Sequence, residues 1–161
     1  MPLAAYGGRA DIMGIIAPDG PVYQAGTLSG NPVAVAAGLT TLALLAPATH
    51  PGAYEQLEAT SKALGDGLAT LGREAGIPLT VNRVGSMLTA FFVAGDGDQV
   101  WSYDDAKRCD TRRFSRWFSE MLRRGIYLPP SQFEAAFVSL AHDDRAVDRT
   151  LSAARESLAA L

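Results

Sequence analysis

One cysteine among 161 residues, Cys109, leaves no internal disulfide and no cysteine-based metal centre, since it has no partners at ligand spacing. It is expected to be a bystander, and no metal is expected. Histidine is scarce too, with only two. Charged residues make up 19% of the chain, the net charge is −3, and Lys and Arg form no run, so there is no electrostatic footprint for nucleic acid. Gly, Pro or a charge interrupts every apolar stretch before it reaches membrane-spanning length. The N-terminus has no basic region followed by an apolar core, so no secretory signal is read there. The expected setting is cytoplasmic, with neither membrane nor nucleic acid as a partner. An apolar content of 48% excludes a disordered chain and supports a packed core.

What is present falls into two parts. Residues 1–46 are rich in Gly and Ala. Pro2 to Tyr6 reads as a short buried strand and Asp11 to Ile16 as a short helix that Pro18-Asp19-Gly20-Pro21 ends. Val22 to Gln24 then lead into Gly26-Thr27-Leu28-Ser29-Gly30-Asn31-Pro32. Asn31 is a favoured N-cap and Pro32 a favoured first helical residue, so a helix is predicted over Pro32–Leu45. It is apolar on nearly all sides and is expected to be buried. Ala34, Ala37 and Gly38 would let another backbone approach closely.

Pro47 to Pro51 marks a boundary, and residues 47–161 are more amphipathic. Leu57, Leu64, Leu68, Leu71 and Ala75 stripe one long helix, stopped by Gly76 and Pro78. Leu79–Val84 and Met87–Val93 predict a hairpin around Gly85-Ser86. Ala94 to Asp110 reads as an irregular surface loop. Asp110 caps a helix carrying Phe114, Trp117, Phe118, Met121 and Leu122, closed by Arg123, Arg124 and Gly125. Ile126–Leu128 and Ala136–Leu140 are short strand candidates. Asp143 and Asp144 open a final helix with Val147, Leu151, Ala154, Leu158 and Leu161 on one face. This second part is an α+β unit with a small mixed or antiparallel sheet.

No residue pattern makes a catalytic centre by itself. His50 lies beside prolines at the boundary, and His142, just before Asp143, reads as a capping residue. Ser29 and Ser131 have no evident base. Lys62 sits on a solvated helix face and Lys107 in a polar loop, neither in an apolar pocket that would keep it neutral. Two places carry chemistry. In the loop Gly26–Pro32, Gly26 and Gly30 clear the backbone for an anion and Thr27 offers a hydroxyl, with the N–H groups and dipole of the following helix facing the loop. Residue types alone fit a plain turn slightly better. In Leu128-Pro129-Pro130-Ser131-Gln132-Phe133-Glu134-Ala135, a rigid turn presents the Glu134 carboxylate among apolar neighbours.

Three segments, Met1–Arg9, Gln24–Pro32 and Pro130–Ala135, closely resemble the glutamate-1-semialdehyde 2,1-aminomutase family. These are fold-type I pyridoxal-phosphate enzymes related to the class III aminotransferases. The glycine-threonine loop indicates the wider class, and Ser131-Gln132-Phe133-Glu134-Ala135 narrows it. The likeness runs end to end. It implies an α/β chain comprising the C-terminal part of the large cofactor domain (1–46) and the small α+β C-terminal domain (47–161).

The resemblance further implies pyridoxal 5'-phosphate as cofactor and a homodimer whose active sites are shared between subunits. Thr27 would reach the phosphate bound by the other subunit. Gly26 would shape that pocket, and Ser29 and Tyr23 would line it. Many class III aminotransferases carry an arginine near Glu134 that grips a dicarboxylate. Glu134 instead suits an amino or ammonium group on a small-molecule substrate. The family reaction moves an amino group within one molecule, from glutamate-1-semialdehyde to 5-aminolevulinate through 4,5-diaminovalerate, in tetrapyrrole (porphyrin) biosynthesis. The family's Schiff-base lysine lies a few residues before the match to Met1, so no catalytic lysine is expected here and the chain reads as a C-terminal fragment, inactive alone. The alternatives are an ω-amino-acid:2-oxoglutarate aminotransferase of the same class and a non-catalytic dimerisation fragment.

Overall fold

A computed structural model describes residues 1–95 and 97–161. The chain divides into two compact units, Met1–Pro51 and Gly52–Leu161.

In the first unit, α1 spans Ala10–Met13 and α2 spans Pro32–Leu45. Between them, Ala17 N–H donates to the Val22 carbonyl and Val22 N–H to that of Ile15, each at 2.9 Å. Helix α2 has the predicted bounds. Asn31 Oδ1 accepts from the Val33 and Ala34 amides, and Pro32 fills the first helical position, where an N–H would have no partner. Two expectations are corrected. Residues 2–6 form no strand, because the described residues of this unit offer them no ladder partner. Helix α2 is not buried: Ala34 is, but Val33, Leu39, Leu42 and Leu44 are 58–65% exposed, because the unit has too few other elements to cover them. One close approach does occur. A Cβ at Gly38 would sit 2.0 Å from Leu3 Cδ2, so the Leu3 side chain fills the space a larger residue would need.

The second unit is built on a three-stranded antiparallel sheet in the order β1-β2-β3, with β1 Leu79–Val84, β2 Met87–Phe92 and β3 Ala136–Phe137. The β1–β2 hairpin turns on Gly85-Ser86 as predicted, with Leu79 opposite Phe92 and Val84 opposite Met87. Helices α3 (Ala53–Glu74) and α5 (Thr111–Arg123) pack on one face, and α6 (Asp144–Ala159) packs against both helices. Strand side chains alternate. Leu88, Ala90 and Phe92 therefore join Leu68, Leu71, Phe114, Trp117, Met121, Ala154 and Leu158 in the main core. Phe91 and Val93 point the other way and join Val100, Ala106 and Cys109 in a smaller cluster.

That second cluster explains a correction. Part of the stretch from Ala94 to Asp110, expected to be irregular, forms α4, Tyr103–Arg108; position 96 within it lies outside the described residues. Ser102 Oγ accepts from the Asp105 amide at 3.2 Å, and Asp105 Oδ2 accepts from the Ser102 amide at 2.9 Å. This reciprocal cap starts a helix of only six residues, and Ala106 and Cys109 then cover the back of β2. Residues 126–128 form no strand, and the second strand candidate shrinks to Ala136–Phe137, since β3 pairs with β2 only at Met87–Phe137 and Leu88–Ala136. Leu122 lies at the edge of the α5 stripe and is half exposed.

Two outcomes are expected. Phe92 is fully buried against Trp117, so Phe92→Ala lowers the unfolding free energy by about 3–5 kcal/mol in denaturant titration. Amide donors from Trp101 and the Ser102 hydroxyl hold the Asp105 carboxyl below its ordinary value of 3.8. The stability this adds is present above that value and is lost as pH falls through the lowered one. Unfolding titrations from about pH 5 to pH 3 should therefore show a shallower loss for Asp105→Asn than for the parent chain.

Candidate functional site

In the first unit, residues Gly26–Asn31 make two overlapping turns. Ser29 N–H donates to the Gly26 carbonyl at 2.9 Å and Asn31 N–H to the Leu28 carbonyl at 3.0 Å. Gly30, at φ +72°, takes the left-handed conformation that the second turn requires. A Cβ at Gly26 would stand 2.8 Å from Ser29 Oγ, so glycine is what lets the Ser29 hydroxyl fold back over the loop.

The donors differ from those expected. The helix amides do not face the loop as free groups: Pro32 has none, Val33 and Ala34 donate to Asn31 Oδ1, and Val35 donates to the Asn31 carbonyl. The amides of Thr27, Leu28 and Gly30 instead have no backbone acceptor among the described residues. With the Thr27 hydroxyl they give the loop a set of uncharged donors that the described residues leave unpaired, the kind of group an anion takes up. Gly26, Thr27, Ser29 and Tyr23 are all exposed, Tyr23 at 85%. The loop thus brings Gly26, Thr27 and Ser29 together, with Tyr23 three residues ahead.

Glu134 lies in the second unit. It ends a turn in which its own amide donates to the Ser131 carbonyl at 3.1 Å and the Phe133 amide to Ser131 Oγ at 3.2 Å. With Leu128, Pro129, Ala136 and Trp117 it lines a cavity of about 40 Å³. Glu58, Glu74, Glu120 and Glu156 are held in ion pairs with arginines. Apart from Glu55 in the first turn of α3, the remaining glutamate is Glu134, whose exposed carboxylate has no such partner among the described residues. It can therefore accept hydrogen bonds from an incoming ammonium group.

Other candidates resolve into local roles. Lys62 pairs with Asp66; Lys107 pairs with Asp104 at 2.7 Å and lies over the Tyr103 ring. Asp143, not His142, caps α6, accepting from the Ala146 amide at 2.8 Å. His142 Nδ1 instead meets the Ser139 amide at 3.0 Å. Burial pushes the Cys109 thiol up, which keeps it protonated and unreactive. Sequence reasoning passed over Gln132, which is almost fully buried within the Glu134 turn; its polarity argued for a surface position. Among the described residues there is no cluster of metal ligands and no helix long and apolar enough to cross a membrane.

No protein-family model matches the chain. Solved structures do. A beta-phenylalanine aminotransferase from Variovorax paradoxus superposes with a TM-score of 0.73 at 31% identity, covering 93% of this chain and 33% of that one. A glutamate-1-semialdehyde aminomutase from Pseudomonas aeruginosa PAO1 in complex with PMP has the same fold, with a TM-score of 0.70 at 22% identity over 83% of this chain and 28% of that one. The fold is that of part of a fold-type I pyridoxal-phosphate-dependent transferase. Within that class the sequence is similar along its whole length to glutamate-1-semialdehyde 2,1-aminomutases. It is 56% identical to that of Myxococcus xanthus over all 161 residues, and 55% identical to that of Deinococcus deserti over 157. The chain spans about a third of these relatives, 36% and 35% of their lengths.

Asn31→Ala would free the Val33 and Ala34 amides and remove the cap of α2. Helical stability in the first unit should fall by about 1 kcal/mol, read as faster amide exchange in residues 33–37 with the second unit unchanged.

Proposed function

We propose that this chain forms part of a glutamate-1-semialdehyde 2,1-aminomutase that moves an amino group within its substrate to give 5-aminolevulinate for tetrapyrrole synthesis. The observation that carries this reading is an unpaired carboxylate, Glu134, within Ser131-Gln132-Phe133-Glu134-Ala135, in a chain 56% identical throughout to an aminomutase. Residues 1–46 would be the C-terminal part of the cofactor domain and residues 47–161 the small C-terminal domain. The assembly is a cytoplasmic homodimer.

The residues present suit one side of a pyridoxal-phosphate site. The Thr27 hydroxyl and the unpaired amides of Thr27, Leu28 and Gly30 match the acceptors of a phosphate group. In the homodimer Thr27 would hold the phosphate of the opposite subunit's cofactor. Gly26 and Ser29 shape that contact, and Tyr23 lines it. Neither lysine belongs to this loop: Lys62 and Lys107 lie in the second unit, each beside an aspartate, so this reading places the Schiff-base lysine outside this chain. Pyridoxal phosphate, when bound, supplies the electron sink for amino transfer. Glu134 accepts hydrogen bonds from the substrate's amino groups and orients them. Its charge repels the second carboxylate of a keto-acid co-substrate, which disfavours the ω-amino-acid:2-oxoglutarate aminotransferase reading.

The test is a chimaera in which this chain replaces the matching segment of the Myxococcus xanthus aminomutase. It should form 5-aminolevulinate and show no appreciable amino transfer to 2-oxoglutarate. Thr27→Ala should weaken cofactor affinity by about 10- to 100-fold, the loss of one hydrogen bond to a charged group. Glu134→Arg should depress isomerisation far more than cofactor binding. A folded, cofactor-loaded chimaera that transfers to 2-oxoglutarate without isomerising would overturn the reading.

A further inference from the structure

Gln132 is the largest buried polar side chain of the second unit, 2% exposed, although it belongs to a surface turn two residues before Glu134. Its Nε2 donates to the Ala106 carbonyl of α4 at 2.8 Å, and its Oε1 has no partner among the described residues. Burying a carboxamide that makes only one hydrogen bond among the described residues is unfavourable compared with an apolar side chain of the same size. The one directional contact it makes is therefore the distinctive thing the carboxamide supplies. That contact joins two segments far apart in sequence, with Phe133 against Tyr103 at 5.8 Å beside it.

The chain of support then runs inward. Helix α4 is fixed by its Ser102–Asp105 cap and by Ala106 and Cys109 packing on Phe91 and Val93. Next to it, the Val100 carbonyl accepts from Asn82 Nδ2 of β1 at 2.7 Å. The Glu134 turn has its own internal hydrogen bonds to Ser131, but these close the turn without saying where it points. An apolar plug could rotate within its socket. A carboxamide bonded to Ala106 cannot rotate without losing that bond.

We propose that Gln132 is a positioning residue: its hydrogen bond to the Ala106 carbonyl docks the turn on α4 and fixes the direction of the Glu134 carboxylate. The catalytic part of this inference rests on the role given to Glu134 above. The docking part does not.

The test uses Gln132→Met, which keeps the length and burial of the side chain and removes the donor. In the 161-residue chain, amide exchange at Phe133 and Glu134 should accelerate about tenfold while α3 and α6 keep their protection. In the chimaera, kcat should fall about 10- to 100-fold with cofactor affinity retained, as expected for a misplaced group. Glu134→Gln should lower kcat as well, and adding Gln132→Met to it should cost little more, because the two act as a unit. Unchanged exchange at Phe133 and Glu134 would overturn the docking. A Gln132→Met loss that is just as large in the Glu134→Gln background would overturn the positioning role. A Glu134→Gln chimaera with full kcat would instead overturn the role of Glu134, and with it the catalytic part of the inference, while the exchange result still decides the docking. If Gln132→Met unfolds the second unit, Gln132→Glu is measured instead. Its neutral acid can donate to Ala106 and its carboxylate cannot, so protection at Phe133 and Glu134, taken relative to the intrinsic exchange rate at each pH, should fall as pH rises; protection equal to the parent chain's at every pH would overturn the docking.

Discussion

Phe92 joins the sheet to the helices twice over. Its ring, fully buried, meets Trp117 edge-on at 5.7 Å, and Trp117 in turn meets Phe114 at 5.8 Å. Its carbonyl accepts from the Asp110 amide at 2.8 Å, and the Asp110 side chain caps α5 through the Arg113 amide at 2.9 Å. The end of β2 therefore sets both where α5 begins and how deep it sits. The described residues between 93 and 109 form an excursion anchored at both ends, and α4 closes over the back of the sheet within it. The Glu134 turn is held by that excursion through Gln132 and by the core through Leu128, Pro129 and Ala136.

The parts of the fold legible in the sequence are those whose signals are local and redundant. Asn31-Pro32 marks the start of α2, Gly85-Ser86 sets the hairpin register, and Phe114, Trp117, Phe118 and Met121 repeat at helical spacing. Helix α4 escaped because it has too few apolar residues for periodicity; its signature was the reciprocal Ser102–Asp105 cap, and the reason for it, a second face of β2 that has to be covered, is tertiary. Residues 126–128 have strand-like composition but no ladder partner. The apolar run in α2 was read as burial, which depends on what surrounds a helix and not on the helix itself.

The site followed the same rule. Thr27, Gly26 and Glu134 stood out through residue type and resemblance, whereas the donor pattern required coordinates. Asn31 was correctly read as a cap, yet the consequence, that it takes up the helix amides itself, went unseen. Gln132 escaped because a glutamine in a proline-led turn is ordinarily solvated. The two chemistries are complementary in charge: uncharged donors in one unit suit an anion, and an unpaired carboxylate in the other suits a cation.

The donor set of the Gly26–Asn31 loop has an evolutionary corollary. Most of its donors are backbone amides, those of Gly26, Thr27, Leu28 and Gly30, which no substitution short of proline removes. Selection on this loop must therefore act through shape, at Gly26, where a Cβ would collide with Ser29, and at Gly30, whose φ of +72° other residues rarely adopt. Positions such as Leu28 contribute a donor with any side chain except proline. Tolerance to mutation here should follow the backbone's conformational demands, with the hydroxyl of Thr27 as the one chemically specified side chain.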